Sequence, residues 1–292
     1  MEWRRLLVAT DFSPWAKSAH RCAVQIALSS GAEVCVAHVI SPQAFAYFGE
    51  AEAMQAEQRV REEVSKSLEE WNSTGLRELR PHFHVAKGRP AAEISALIEQ
   101  ENADVAVLGT RGCNQKEKGL LGAVAEEVFR TASFPVLMVG GPVEERSGKP
   151  WEVRRILYAC NFTPHSEYAA RYAFSLAEFT NAQVTMIHVV ESDESFEPRN
   201  ENLLREFFNT RLLSAIPRQR KFTNEPELIS AFGAPDEQIL EAARKTEADL
   251  IVLGVPTPQR TPGYLPSRTA YRVVCRASCP VLTVPQPLAR RH

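Results

Sequence analysis

The feature that most constrains this chain is that it is written twice. LLVATDFS at Leu6–Ser13 returns 150 positions later as ILYACNFT at Ile156–Thr163, and HVI at His38–Ile40 returns as HVV at His188–Val190. The offset then becomes 145: AKGRPAAEI from Ala86 answers AFGAPDEQI from Ala231, ADVAVLG from Ala103 answers ADLIVLG from Ala248, and SFPVLMV from Ser133 answers SCPVLTV from Ser278. Two long copies imply a duplicated domain, since a solenoid needs many short ones. The length of 292 residues suits two domains of ordinary size. We place them at 1–140 and 152–286, with the joint in GGPVEERSGKPWE, Gly140–Glu152, rich in Gly, Pro and charge.

Inside each copy, short β-branched runs alternate with helical patterns. Strands are predicted at LLVAT, at EVCVAHVI from Glu33, at HFHVAKG from His82, at DVAVLG from Asp104 and at PVLMVG from Pro135. Their near-continuous apolar character fits a parallel sheet covered on both faces. Ser13-Pro14 reads as an N-cap followed by proline at the first helical position, with a stripe of Ala19, Cys22, Ala23 and Ile26 stopping at Gly31. Thr163-Pro164 starts the equivalent helix, which ends near Asn181. Val60, Val64, Leu68 and Trp71 mark a second helix, Ile94, Leu97 and Ile98 a third, and Val124, Val128 and Phe129 a fourth. The fold class is therefore α/β: two tandem doubly wound, five-stranded parallel-sheet domains of Rossmann-like type. The two copies are expected to pack face to face through their final strands, PVLMV from Pro135 and PVLTV from Pro280, as an intramolecular pseudo-dimer; a homodimer is a further option.

Charge and composition narrow the function. Lys+Arg of 34 against Asp+Glu of 36 leaves a net charge of −2, so no basic field attracts nucleic acid. Neither a secretory apolar core nor a run of ~18 apolar residues is present, so a cytoplasmic protein without a membrane partner is expected. The six cysteines lack CxxC spacing and are expected to be reduced thiols.

Ligands of doubly wound sheets sit beyond the C-terminal ends of the strands, which directs attention to the segment after VAVLG. Gly109, Gly112, Gly119 and Gly122 allow a loop whose amides turn inward, and the helix beginning near Gly122 adds unpaired N–H groups and its dipole. Such a loop can cradle phosphates, with Arg111, Lys116 and Lys118 either adding charge or simply solvated. It lacks the GxxxxGK[ST] pattern of a P-loop.

These residues resemble the universal stress protein family, whose nucleotide-binding members carry Gly, two residues, Gly, nine residues, then Gly-Ser or Gly-Thr. Gly109, Gly112 and Gly122 match the spacing, while Ala123 replaces the final hydroxyl residue. The resemblance spans both copies and implies an adenine nucleotide alpha hydrolase-like fold. It also implies that Asp11, ending the first strand, and the backbone at Val39 hold adenosine, with Val124 following the last glycine. The implied ligand is ATP or another adenine nucleotide, with Mg²⁺ as an optional companion. The implied role is a regulatory stress-response module with a protein partner still to be named. An Asp at a strand's C-terminal edge can accept hydrogen bonds from ribose hydroxyls, or it can cap the helix at Ser13-Pro14. Losing the hydroxyl at Ala123 removes one charge-assisted contact, roughly 1.5–3 kcal/mol, and spares the amides.

The second copy reads differently. Asn161 stands for Asp11, Thr257 for Gly112, Ser267 for Gly122 and Arg268 for Ala123, while Pro256, Pro258, Pro262 and Pro266 enter the loop. Proline has no N–H to donate. Glu191, Asp193, Glu194 and Glu197 follow its second strand, as solvated charge or as a repulsive rim.

His38 and His188 recur and are expected to be packed and hydrogen-bonded. His82 and His84 have no Cys or carboxylate at ligand spacing, so no metal site is expected. Cys113 is expected to be an inert thiol, and Cys275 and Cys279 to pack. No nucleophile, base and oxyanion arrangement is legible, so no enzyme is expected beyond a slow ATPase. The competing readings are a nucleotide-free interaction scaffold and that weak hydrolase.

Overall fold

The computed structural model describes residues 3–41, parts of 51–66, residue 79, and residues 81–111, 120–140, 151–192, 201–217, 224–258 and 267–286. The predicted second-helix residues Val60, Val64, Leu68 and Trp71 lie outside them, as do most of the joint and the glycine-loop residues 112–119.

The N-terminal domain runs β1 (Arg5–Ala9), α1 (Pro14–Ser30), β2 (Glu33–Ile40), β3 (His82–Lys87), α2 (Pro90–Gln100), β4 (Val105–Gly109), α3 (Ala123–Thr131) and β5 (Val136–Val139). The C-terminal domain repeats this as β6 (Arg155–Ala159), α4 (Pro164–Thr180), β7 (Gln183–Glu191), α5 (Glu201–Ser214), β8 (Glu227–Gly233), α6 (Pro235–Lys245), β9 (Leu250–Val255), α7 (Arg268–Arg276) and β10 (Val281–Pro285). The α1 start is set as the sequence predicts: Ser13 Oγ accepts from the Ala16 amide at 3.2 Å, and Gly31 closes the helix at φ 72°. Thr163 and Asn181 do the same for α4.

The ten strands among the described residues join one sheet in the order β3-β2-β1-β4-β5-β10-β9-β6-β7-β8. Pairing is parallel throughout each half and antiparallel only at the seam, where Val281, Leu282 and Thr283 of β10 face Met138, Leu137 and Val136 of β5. The final strands do meet, but edge to edge rather than face to face. A parallel sheet's terminal strand leaves its amides and carbonyls unpaired, and the duplicate supplies an equivalent edge that satisfies them.

This join rearranges the core. Leu6 and Val8 point to one face of the sheet and Leu7 to the other, and the alternation continues through β4, β5, β10, β9 and β6. One buried layer lies under α1 and α4, the other under α2, α3, α6 and α7, and each runs through both domains. The division is therefore by sheet face, not by domain. Trp3 reaches across on one face, its indole Nε1 donating to the Tyr172 carbonyl at 3.4 Å with ring centroids 5.9 Å apart. On the other face Phe129 of α3 meets Tyr271 of α7 at 5.8 Å, edge to face. Burying a side chain such as Leu137 or Leu282 stabilises by roughly 1.5–3 kcal/mol, so the seam is part of the stable core of both halves.

Candidate functional site

With strand order 3-2-1-4-5, the connections leaving β1 and β4 go to opposite faces of the sheet, and a crevice opens between their C-terminal ends. The crevice is a cleft of about 530 Å³, within the roughly 300–1,000 Å³ usual for small-molecule sites. The structure brings Asp11, Val39, Gly109, Arg111, Gly122, Ala123 and Val124 to its wall, seven of the eight residues predicted from sequence. The eighth, Gly112, lies outside the described residues, together with Cys113, Lys116 and Lys118.

The cleft has a polar rim on one side. Asp11 Oδ1 accepts from the Ser13 amide at 3.0 Å, so this carboxylate shapes the start of α1 while facing the cleft. Of the two roles considered for Asp11, the structure shows the one at the start of α1, with the residue also lining the cleft. Between Asp11 and Ser13, Phe12 adopts a left-handed φ of 62°, rare for an aromatic residue. Its ring lies on His38, centroids 5.0 Å apart, and His38 Nδ1 donates to the Thr10 carbonyl at 2.8 Å. The second half repeats this with Phe162 at φ 58° on His188, whose Nδ1 donates to the Cys160 carbonyl at 2.8 Å. Both histidines are packed braces between turn and strand, as expected, and burial holds His188 below its usual pKa.

Opposite Asp11, α3 begins with Gly122 as N-cap and no side-chain cap. The Gly122 amide is not one of the unpaired donors, because it donates to the Thr110 carbonyl at 2.8 Å and closes the loop. The helix's own hydrogen bonds start with Glu126 donating to the Gly122 carbonyl, so the amides of Ala123, Val124 and Ala125 have no acceptor within the helix. All three residues line the cleft. Arg89, just before α2, binds Glu127 of α3 at 2.8 Å and ties together the two helix starts that flank the opening.

Gly109 has a different reason to be glycine. A Cβ there would stand 2.8 Å from the Trp15 carbonyl carbon and 2.9 Å from the Ala16 nitrogen, inside van der Waals contact with the first turn of α1. Gly254, its counterpart, is tighter still, 2.4 Å from the Ser166 Cα. The first motif glycine therefore serves helix packing in both halves, whereas the last is glycine only in the first.

The equivalent cleft of the second half is about 260 Å³. Ser267 caps α7, its Oγ accepting from the Ala270 amide at 3.1 Å. One of the donors exposed in the first half is thus satisfied by the chain itself. Ile187 lines this cleft where Ala37 lines the first, and its larger side chain takes up space. Glu191 adds a carboxylate to the wall; Asp193, Glu194 and Glu197, like Pro262 and Pro266, lie outside the described residues. Sequence comparison identified the prolines and Asn161 but passed over Ile187, because an apolar residue in a strand looks the same whether it floors a cleft or fills a core.

The second domain also touches the first domain's loop. The Cys275 thiol of α7 lies within reach of the Leu121 backbone and the Arg111 side chain, and burial raises its pKa. At the other end of the loop, Gly140 sits between Thr110 and the carbonyls of Val274 and Ala277. Cys275 and Cys279 pack against the core, as expected, and the described cysteines are free thiols.

One meeting was not legible from spacing. His84 on β3 lies beside Cys35 of β2 and Glu101 at the end of α2, the three ligand atoms within 4.8 Å of one another. Among the described residues, no helix is long and apolar enough to cross a membrane.

Fold and cleft define a class: a duplicated, doubly wound α/β protein with a small-molecule-sized crevice at the switch point of its first half. Within that class, the model of the universal stress protein family matches residues 2–140 and again 152–285, so the chain belongs to that family, with two of its domains in tandem. Membership places it among stress-response proteins. It is 32% identical over 151 residues to a universal stress protein of Methanocaldococcus jannaschii, covering 49% of this chain and 85% of that one. It is 28% identical over 225 residues to a universal stress protein E homolog of Haemophilus influenzae, covering 71% and 70%. A crystal structure of a universal stress protein from Archaeoglobus fulgidus shares the fold at TM-score 0.69 with 20% identity, covering 96% of this chain and 98% of that one.

Proposed function

We propose that the N-terminal domain binds one adenine nucleotide, ATP or a relative, and that the C-terminal domain is a nucleotide-free scaffold that senses its presence. The observation carrying this reading is the uncapped start of α3. Three amides and the positive end of a helix dipole open into a 530 Å³ cleft across from a carboxylate. The Ala123, Val124 and Ala125 amides with Arg111 would hold phosphate oxygens, and Asp11 and the Val39 backbone would hold the nucleoside. Mg²⁺ would accompany a triphosphate as its counterion.

The protein's own contribution is binding and report rather than chemistry. His38, the imidazole in the cleft wall, has Nδ1 committed to Thr10, and Asp11 is engaged with Ser13, which supports positioning roles over proton transfer. Occupancy would be read out where α7 abuts Leu121 and where Thr110 and Gly140 meet its end, because a ligand held by Arg111 and the start of α3 acts on residues whose contacts both domains share.

The test is direct. Tag-free protein denatured immediately after purification should release an adenine nucleotide detectable by mass spectrometry, and calorimetric titration of stripped protein with ATP, ADP and AMP should give about one site per chain. Two equivalent sites, or none with any of the three, would overturn the reading.

A further inference from the structure

The cluster at Cys35 lies away from the cleft. Cys35 is four residues before Val39 on β2, about 13 Å toward the other end of the strand. Its side chain is buried on the face covered by α2, beside His84 on the neighbouring strand and Glu101 where α2 ends. His84 Nε2 stands 3.1 Å from Glu101 Oε1. Arg5 stands 3.7 Å from Glu101 Oε2 and also hydrogen-bonds to the Glu101 carbonyl, so the guanidinium holds the far side of the residue and Oε1 turns toward the imidazole. Among the described residues, Arg5 faces the cluster and pairs in turn with Glu33, while His82 stands in register with Cys35 on β3. Sulfur, nitrogen and oxygen donors thus converge, one from each of three elements.

The duplicate provides a control within the same chain. At the equivalent positions the second half carries Thr185, Ile229 and Thr246. The same strands, helix and turn form there without the thiol or the imidazole, and Thr185 Oγ1 instead donates to the Glu227 carboxylate at 3.3 Å. The fold therefore does not require this donor set, and all three donors occur together in one half.

We propose that Cys35, His84 and Glu101 form a binding site for a zinc-like divalent cation. Thiolate, imidazole and carboxylate are the three ligand types zinc accepts, and three protein ligands leave a fourth position for water. On ligation the Cys35 proton leaves to solvent, the direct His84–Glu101 contact is replaced by two bonds to the metal, and the donors draw closer than their present spacing. Arg5, fixed to Glu101, orients that ligand from behind while its charge tempers affinity. The partly exposed imidazole edge is the entry path.

Cobalt(II) titrated into tag-free, full-length protein should bind at about one equivalent and produce thiolate-to-cobalt charge-transfer absorption, which zinc(II) then abolishes by displacement. Cys35→Ser should remove the band, His84→Gln should weaken binding by at least about tenfold, and Cys113→Ser should leave it unchanged. No band at saturating cobalt, or a band that survives Cys35→Ser, overturns the site and leaves only a His–Glu hydrogen bond. If Cys35→Ser fails to fold by near-ultraviolet circular dichroism, His84→Gln decides, and undiminished cobalt binding in that variant overturns the proposal.

Discussion

The two halves of this molecule share their strands, the caps of α1 and α4 and the strained Phe12 and Phe162 turns, yet their clefts differ about twofold in volume, 530 against 260 Å³. The difference comes from few atoms. Ser267 supplies the cap that Gly122 lacks, and Ile187 stands where Ala37 does. A helix start becomes an anion site when the chain declines to satisfy its own amides, and a single hydroxyl is enough to satisfy one of them.

Gly254→Ala should have the largest effect. Its new Cβ would overlap the α4 backbone at 2.4 Å, and overpacking of this severity destabilises by about 3 kcal/mol. Gly109→Ala, with a contact of 2.8 Å, should cost about 1–3 kcal/mol. Urea unfolding would measure both, and a harmless substitution at either site would break the claim that the first motif glycine serves packing.

The halves also differ at His20, where the second has Ala170. Burial, with the nearby Arg21 charge, lowers the His20 pKa to about 4. The unfolded chain, with its value near 6.5, takes up the proton first, so stability is complete above about pH 6.5 and declines as the pH falls toward 4, by about 3 kcal/mol in all. His20→Ala should flatten the dependence of the denaturation midpoint on pH across that window. An unchanged slope would assign it to other groups.

For ligand binding, Asp11→Ala should weaken ATP by roughly 1.5–3 kcal/mol, while Asn161→Ala should leave the affinity alone. Asp11→Asn sharpens the comparison by keeping the bond to the Ser13 amide and removing only the charge. Calorimetry that finds the two alanine variants equal would erase the distinction between the halves.

The smallest effects should come from converting one cleft toward the other. Gly122→Ser should divert one amide into a cap as Ser267 does, and Ala37→Ile should narrow the cleft. Each should weaken ATP by about 1–2 kcal/mol. Gly122→Ser should stabilise the fold by a few tenths of a kcal/mol at most, read from the same urea curves. Unchanged affinity in both would mean that neither cap nor volume separates the two sites.

By itself the sequence determined the local structure: the duplication, the alternation of strand and helix, the caps at Ser13 and Thr163, and the glycine spacing whose family resemblance pointed to residues that line the cleft. Periodicity and capping are properties of neighbours along the chain, so they can be read from it. The tertiary structure alone decided what meets across the fold. It joined β5 to β10 edge to edge, divided the core by sheet face, set Ile187 in a cleft wall and gave the Gly122 amide to Thr110. It also brought Cys35, His84 and Glu101 together from positions whose spacing along the chain holds no sign of contact. Strand order and crossover path set such distances, and these depend on satisfying edges and burying faces over the whole molecule, a condition no local window of sequence contains.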